Sequence, residues 1–275
     1  MKLNRGFILF VQKNDACDYL KQAVACSLSI KKFMPNEQVC LITDIDVPKE
    51  YQKHFNFIKD IPGEDLAVDN DWKVNNRCKI YHISPFDQSI VLDVDMLLLQ
   101  NIDHWWKQLS QYELYYTDKV KTYRNDWVTS DYYRKVFVEN SLPNVYCGFH
   151  YFQKCKNNEI FFNLLKDIVT NYELYSKRFT KNKTQSWCSM DVATAIAIKI
   201  LGIQHKVFSK HNNLTFTHMK PKIQNYQSQM NLWTEQLDYN LNSQSELFVG
   251  NIKQSGLFHY VEDNFLTDQV LEHLQ

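Results

Sequence analysis

The sequence has no excess of either charge, because Lys plus Arg and Asp plus Glu number 31 each in 275 residues. A basic surface of the kind that binds nucleic acid or an anionic membrane is therefore not indicated. The seven cysteines include no CxxC pair, which argues against a disulfide framework and against a thiolate zinc site. No apolar run reaches the roughly 18 residues that a membrane span requires, and the segment at 7–11 is too short for a secretory signal. We therefore expect a protein without transmembrane segments in a reducing, cytoplasmic setting.

Strand-like and helix-like patterns alternate along the first hundred residues. Segments 7–11, 39–44 and 89–95 have the composition of buried strands, and apolar residues recur at helical spacing across 17–33. Strands that alternate with helices predict an α/β fold with a Rossmann-like, mostly parallel central sheet and helices on both faces. Ligands of such sheets gather at the carboxyl ends of the strands.

The patterns after residue 103 are weaker but still readable. They predict strands at 112–118, 146–154, 214–218 and 256–260, and helices at 157–175 and 189–202. The segment 219–250 is rich in Gln and Asn and is predicted to be surface loop or irregular structure. Since neither an internal repeat nor a low-complexity linker interrupts the chain, we expect one domain over residues 1–275.

Two aspartates interrupt the most apolar segment of the chain, "SIVLDVDMLLLQNID" at 89–103. Residues two apart in a strand point to the same face, so Asp93 and Asp95 are expected to present their carboxylates together. A divalent cation with oxygen ligands, Mg²⁺ or Mn²⁺, would relieve their mutual repulsion. The alternative is structural, with Asp93 ending the strand and Asp95 capping a turn or helix.

Several ordered pieces of the chain resemble the nucleotide-sugar glycosyltransferases of the A-type fold. Within them the resemblance is to family eight, which includes glycogenin and bacterial lipopolysaccharide glucosyl- and galactosyltransferases. The pieces are "LFVQKNDACDYLKQAVACSLSI" for the opening strand and helix, "NRCKIYHISPFDQSIVLDVDMLLLQNID" for the lysine-bearing helix and metal strand, "YCGFHYFQK" for an Asn-x-Gly segment, "SMDVATAIA" for an Asp-Gln helix, and "GLFHY" for a late metal-binding strand.

This resemblance implies a metal-dependent transfer of a hexose from a UDP-sugar to a hydroxyl acceptor, with retention of anomeric configuration. The acceptor would be a carbohydrate, a lipid-linked sugar or a protein. The single A-type domain would have a nucleotide-sugar-binding half, 1–105, and a half that binds the acceptor and completes the metal site, 106–275. Asp93, Asp95 and His259 would bind Mn²⁺ or Mg²⁺.

The resemblance also implies roles for residues outside the metal site. Lys79 would approach the phosphates or the donor sugar, with Arg77 a weaker candidate for the same task. Asn14 and Tyr19 would contact the nucleoside, and Asp93 would contact the donor as well as the metal. Asp191 would contact the sugar or the acceptor. Asp191 has a structural alternative as the N-cap of its helix.

The chain departs from the family pattern at three places. Tyr146 stands where the family has asparagine, Val192 replaces a glutamine, and the late His-x-x-Gly-x-x-Lys-Pro-Trp signature is absent after His259. His218 and Lys220, in "THMKPKIQ", are a rival pair that would supply the missing cation and even the metal ligand.

Three other functions remain open from the sequence. A phosphotransferase with a nucleophilic DxD also ends a strand with two aspartates, but it would need Thr or Val soon after them, where this chain has Met96 and Leu97. A nucleotidyltransferase would need a glycine-rich phosphate loop, and "VQKNDACDY" has no glycine. The third alternative is a nucleotide-sugar-binding protein with a degenerate site that has lost turnover.

Overall fold

The computed structural model of the chain describes residues 4–67, 73–129, 133–181, 187–208, 210–211, 213–223 and 232–275. The strands are β1 (Arg5–Val11), β2 (Gln38–Thr43), β3 (Phe57–Asp60), β4 (Gln88–Leu92), β5 (Met96–Leu98), β6 (Leu114–Thr117), β7 (Tyr146–Gln153), β8 (Phe216–His218), β9 (Tyr239–Leu241), β10 (Leu247–Val249), β11 (Ile252–Lys253) and β12 (Leu257–His259). The α-helices are α1 (Tyr19–Phe33), α2 (Lys49–Gln52), α3 (Ile80–Ile83), α4 (Asp103–Leu109), α5 (Lys135–Glu139), α6 (Lys156–Thr170), α7 (Tyr172–Phe179), α8 (Met190–Leu201), α9 (Gln204–Val207), α10 (Trp233–Gln236) and α11 (Asp268–Leu274). Short 3-10 helices cover Asn75–Lys79, Pro221–Ile223 and Asp263–Phe265. None of these helices combines the length and apolarity that crossing a bilayer requires.

Six strands form the central sheet, in the order β3-β2-β1-β4-β7-β6. The β3–β2, β2–β1 and β1–β4 pairs are parallel, whereas β7 runs antiparallel to both β4 and β6. Strand β1 lies inside the sheet and is buried from Gly6 to Val11, as its unbroken apolar composition predicts. The mostly parallel α/β sheet is therefore confirmed.

Two apolar cores lie on opposite faces of this sheet. Alternate residues of a strand point to opposite sides. Phe7 and Leu9 accordingly pack with α1 and α4 on one face, and Ile8 and Phe10 pack with α3, α6 and α8 on the other. The prediction of helices on both faces is confirmed.

A small sheet of order β5-β12-β8 joins three distant parts of the chain. Strand β12 pairs antiparallel with β5, with His259 opposite Met96, and parallel with β8, with His259 opposite His218. Because β5 begins one residue after Asp95, this pairing brings two histidines beside the acidic pair.

The structure corrects three predictions made from the sequence. The strand predicted at 89–95 ends at Leu92, so Asp93 and Asp95 lie in the turn that leads to β5 and not in a strand. The helix predicted at 157–175 is interrupted at Asn171, whose side chain donates to the backbone carbonyl of Asp167 and competes with the helical pattern. The segment predicted to be irregular, 219–250, contains α10, β9 and β10, while its residues 224–231 lie outside the described part of the chain.

The indole of Trp233 fixes this segment to a third apolar cluster around Phe258. Trp233 is fully buried, and its Nε1 donates to the carbonyl of Tyr260 at 2.7 Å. Replacing it by alanine removes both contacts and leaves a cavity, so we expect Trp233→Ala to lower the free energy of unfolding by about 3–5 kcal/mol in urea denaturation followed by circular dichroism. Leu232→Ala, at a neighbouring position that is 42% exposed, should change it by about 0.5 kcal/mol or less. Equal losses would contradict the assignment of Trp233 to the core.

Candidate active site

A cavity of about 890 Å³ opens where β1 and β4 end, which is where an α/β sheet binds its ligands. Its size suits a small-molecule site. The structure brings seven of the eight residues predicted for the site to its wall: Asn14, Tyr19, Asp93, Asp95, Asp191, Lys220 and His259. Lys79 is the exception.

The acidic pair and one histidine converge in this cavity. One carboxylate oxygen each from Asp93 and Asp95 and one ring nitrogen of His259 lie within 4.8 Å of one another. The Asp95 Oδ2 is 2.8 Å from the His259 Nε2. Burial pushes the pKa of Asp95 upward, but the attraction of the His259 imidazole outweighs it, so the net pKa lies below its usual value. Burial likewise opposes protonation of His259, yet Asp95 keeps its pKa above the ordinary value.

These three side chains fit a divalent cation. Two carboxylates and one imidazole are a donor set suited to Mn²⁺ or Mg²⁺, since it leaves positions open for phosphate oxygens. The Nδ1 of His259 is buried and has no hydrogen-bond partner among the described residues. The backbone of Gly148 lies against the same group, and a Cβ built there would be 3.0 Å from Asp93 Oδ2 and 3.5 Å from His259 Nδ1. The absence of a side chain at residue 148 therefore leaves room for the Asp93 and His259 side chains.

Arg77 supplies positive charge at the opposite side of Asp93. It lies in the 3-10 helix Asn75–Lys79, and its Nη1 is 2.5 Å from Asp93 Oδ1. Its Nη2 donates to the Cys147 carbonyl at 3.4 Å. Burial lowers the pKa of Arg77, but Asp93 more than compensates and the net pKa is raised, so the guanidinium stays charged.

Lys79 lies outside the cavity, in contrast to its predicted role. Its Nζ donates to the backbone carbonyls of Pro62, at 2.9 Å, and Glu64. A 3-10 helix has three residues per turn, so residues two apart point in different directions. Arg77 faces the cavity, and Lys79 is consequently turned towards the loop at 62–64.

Asp191 lies in the first turn of α8 and is held from two sides. Its Oδ1 accepts from the backbone N–H of Cys147 at 2.9 Å, and its Oδ2 accepts from Arg134 Nη1 at 2.8 Å. The N-cap of α8 is Ser189, so the capping alternative considered for Asp191 is wrong. Arg134 was missed by the sequence analysis, because an arginine 57 residues from its partner leaves no local pattern.

His218 and Lys220 also reach the cavity. The His218 ring stacks on the His259 ring at 4.6 Å between centroids and 13° between planes. Burial, followed by the nearby His259, holds the pKa of His218 well below its usual value, so it is neutral. The Nζ of Lys220 donates to the Tyr133 hydroxyl at 2.6 Å. Lys220 is therefore a second basic side chain, besides Arg77, in the wall of the cavity.

The nucleoside candidates lie at the start of α1. The Oδ1 of Asn14 accepts from the backbone N–H of Ala16 at 2.8 Å, which fixes a tight turn after β1. Tyr19 is the first residue of α1 and is half-buried in the cavity wall. The structure thus brings both residues to the end of β1, and their contacts with a nucleoside remain a prediction.

Two departures from the family pattern have clear structural consequences. The ring of Tyr146 packs on the guanidinium of Arg134, 4.1 Å from its carbon, and is buried. Val192 is 2% exposed and belongs to the core under the sheet. Neither position offers the polar side chain that the family has there.

A tight turn follows His259 in place of the family's late signature. Val261 has φ +69°, and the backbone N–H of Glu262 donates to the Tyr260 carbonyl at 2.8 Å, which closes a three-residue turn that a β-branched residue seldom adopts. The Glu262 carboxylate accepts from the backbone N–H groups of Trp233 and Thr234. These bonds hold the turn against the strain of its backbone.

Comparisons with known proteins agree on the fold. No protein-family model and no curated protein matches the sequence. The galactosyltransferase LgtC, solved in complex with donor and acceptor sugar analogues, superposes with a TM-score of 0.53 and 12% identity, over 98% of this chain and 95% of LgtC. The apo form of mouse xyloside xylosyltransferase 1 superposes with a TM-score of 0.53 and 10% sequence identity, over 93% of this chain and 97% of the xylosyltransferase. The glycosyltransferase GlyE of Streptococcus pneumoniae has a TM-score of 0.47 and 13% sequence identity over 76% of this chain. The match covers only 46% of GlyE.

Of the three structures named here, LgtC and the xylosyltransferase match over nearly whole chains, and both are glycosyltransferases of the A-type fold. The resemblance found in the sequence is therefore confirmed for the fold.

The close approach of Gly148 generates a test of the metal site. A methyl group at this position would lie 2.9 Å from Met96 Cε and 3.0 Å from Asp93 Oδ2, so it would push the carboxylate away from its partners. We expect Gly148→Ala to weaken Mn²⁺ binding about tenfold or more in isothermal titration calorimetry. Cys147→Ala is the control, because its Sγ contacts Thr194 in the core and its removal adds no atoms. Unchanged Mn²⁺ affinity in a folded Gly148→Ala protein would exclude this cluster as the metal site.

Proposed function

We propose that the protein is a metal-dependent hexosyltransferase that moves a hexose from a UDP-sugar to a hydroxyl acceptor with retention. The observation that carries this proposal is the convergence of Asp93, Asp95 and His259 in a cavity large enough for a nucleotide sugar. The likeness of the fold to solved glycosyltransferases supports it. Retention rests on the resemblance to family eight.

Asp93, Asp95 and His259 would hold Mn²⁺ or Mg²⁺. When bound, the ion would neutralise charge on the diphosphate as the leaving group departs. The side chains of Asp93 and Asp95 are about one-fifth exposed and that of His259 is about one-tenth exposed, and all three line the cavity. The buried Nδ1 of His259 supports its inclusion as the third ligand.

Two cations are positioned to stabilise the negative charge of the donor. Arg77 lies beside Asp93 and lines the cavity, which supports giving it the role that the sequence assigned to Lys79. Lys220 also lines the cavity, which supports giving it the role of the lysine in the absent late signature. Charged donors fixed around a leaving diphosphate lower the barrier because they need not reorganise during the reaction.

The two ends of the donor would be bound by different parts of the chain. Asn14 and Tyr19 would contact the nucleoside, since they lie together where β1 meets α1. Asp191 would accept hydrogen bonds from hydroxyl groups of the sugar. The acceptor, a carbohydrate, a lipid-linked sugar or a protein hydroxyl, would enter from the open side of the cavity.

We also propose a reducing, cytoplasmic compartment for the protein. All seven cysteines are free thiols, and five of them are buried. An unpaired set of this kind is typical of a reducing environment.

A nucleotide-sugar-binding protein without turnover is the second candidate. The observation that favours it is the loss of polar groups at two positions, where the Tyr146 ring packs on Arg134 and Val192 is buried in the core. Such a protein would bind a nucleotide sugar through the same metal cluster and release no UDP.

Replacing Asp95 separates the two candidates. The protein incubated with Mn²⁺ and UDP-glucose or UDP-galactose should release UDP, measured by a coupled assay, and Asp95→Ala should reduce the rate at least about a hundredfold. Asp60→Ala is the control, since Asp60 ends another parallel strand but is exposed and outside the cavity. Metal-dependent binding without UDP release in the wild type would favour the binding protein, and neither binding nor release would exclude both.

The choice between Arg77 and Lys79 can be tested by paired substitutions. We expect Arg77→Lys to weaken donor affinity about ten- to a hundredfold in calorimetry, because the planar fork that reaches Asp93 and Cys147 is lost. Lys79→Met should leave donor affinity within about twofold and reduce only stability, since its partners are the Pro62 and Glu64 carbonyls. The reverse result would restore the assignment made from the sequence.

A further inference from the structure

We propose that Arg134 is a positioning residue that holds the Asp191 carboxylate as a fixed hydrogen-bond acceptor for the donor sugar. The inference rests on the proposed function and adds to it a residue that acts only through Asp191. It is carried by the geometry of one buried guanidinium and its acidic partner.

The guanidinium of Arg134 is immobilised on every side. Its Nη1 donates to Asp191, its Nε donates to Asn144 Oδ1 at 2.7 Å, and its Nη2 donates to the Val145 carbonyl. The rings of Phe137 and Tyr146 lie 3.9 and 4.1 Å from its central carbon. Rotating the side chain would break three hydrogen bonds and two ring contacts. Arg134 therefore offers Asp191 a partner in one fixed position.

The pair requires Asp191 to be charged and stationary. Arg134 is 6% exposed, and Asp191 supplies the one carboxylate bonded to it among the described residues. A buried cation is costly without such a partner. The second bond, from the Cys147 N–H to Asp191 Oδ1, fixes the other oxygen. A carboxylate held at both oxygens has one orientation, yet each oxygen keeps a further lone pair.

The Asp191 carboxylate is accessible from the cavity. Asp191 lines its wall, and its side chain is 26% exposed. The backbone of Cys147 joins Asp191 to the metal cluster, because its N–H donates to Asp191 and its carbonyl accepts from Arg77, the partner of Asp93. Asp191 is therefore linked to Asp93 through one backbone residue and one guanidinium, on the wall of the same cavity.

Tyr146 also helps to hold the Arg134 guanidinium in place. In the family pattern the position carries asparagine, whereas here its ring forms one wall of the slot that holds the guanidinium. Tyrosine in place of asparagine at residue 146 therefore helps to hold Arg134, and through it Asp191, in position. Lysine could not replace the arginine, because a single ammonium cannot reach three acceptors in one plane.

The test is Arg134→Lys, with Arg124→Lys as control. Arg124 also lies over a tyrosine ring, at 5.2 Å from Tyr123, but it is exposed and outside the cavity. With Mn²⁺ present, Arg134→Lys should lower kcat/KM for the UDP-sugar about tenfold or more. Its affinity for UDP, which lacks the sugar, should stay within about twofold of the wild type. Arg124→Lys should alter neither quantity.

A double substitution separates positioning from a merely structural role. In an Asp191→Asn background, Arg134→Lys should have less than about a twofold further effect, because its partner is already impaired. A parallel loss of UDP affinity, full additivity with Asp191→Asn, or an unchanged kcat/KM would each overturn the inference. If Arg134→Lys does not fold, Asn144→Ala removes the Nε partner, together with the bond from Asn144 Nδ2 to the Asp118 carbonyl, and should give the same pattern at about threefold. A wild-type protein that neither binds nor turns over a nucleotide sugar would overturn the proposed function and this inference together.

Discussion

The backbone of β7 meets the end of β4 at Gly148, and the candidate site depends on this contact. The Gly148 carbonyl accepts from the backbone N–H of Asp93 at 2.8 Å, which continues the antiparallel pairing one step beyond the strand. The backbone of the preceding residue, Cys147, donates its N–H to Asp191 and accepts from Arg77 at its carbonyl. One strand end thereby fixes groups from a turn, a 3-10 helix and an α-helix. Any side chain larger than hydrogen at residue 148 would separate them.

Each of the three aspartates predicted for the site has its own basic partner. Asp95 bonds His259, Asp93 pairs with Arg77, and Asp191 pairs with Arg134. From the sequence alone, two neighbouring carboxylates are expected to need a shared cation to tolerate each other. In the structure each of them also has a separate basic side chain beside it. The role of a divalent ion would therefore be to bind the donor and not to hold the fold together.

The sequence predicted the features that depend on neighbours along the chain. The buried strands, the first helix and the acidic pair follow from apolar runs and periodicity, and the structure confirms those strands and that helix. The sequence does not distinguish Lys79 from Arg77, because residues two apart in a 3-10 helix point in different directions and only Arg77 lines the cavity. Arg134 and the buried Trp233 depend on partners far away in the chain, so no local pattern marks them. The polar composition of 219–250 predicts a surface segment, so it does not indicate that Trp233 belongs to the core.

The imidazole that meets Asp95 lies 164 residues further along the chain, on a strand whose neighbours are β5 and β8. Pairing over such a distance is slow to form and comes late in folding. A nascent chain leaving the ribosome carries the acidic turn early but lacks its histidine until residue 259 has emerged. The polypeptide is therefore unable to complete the three-residue cluster until β12 has docked between β5 and β8.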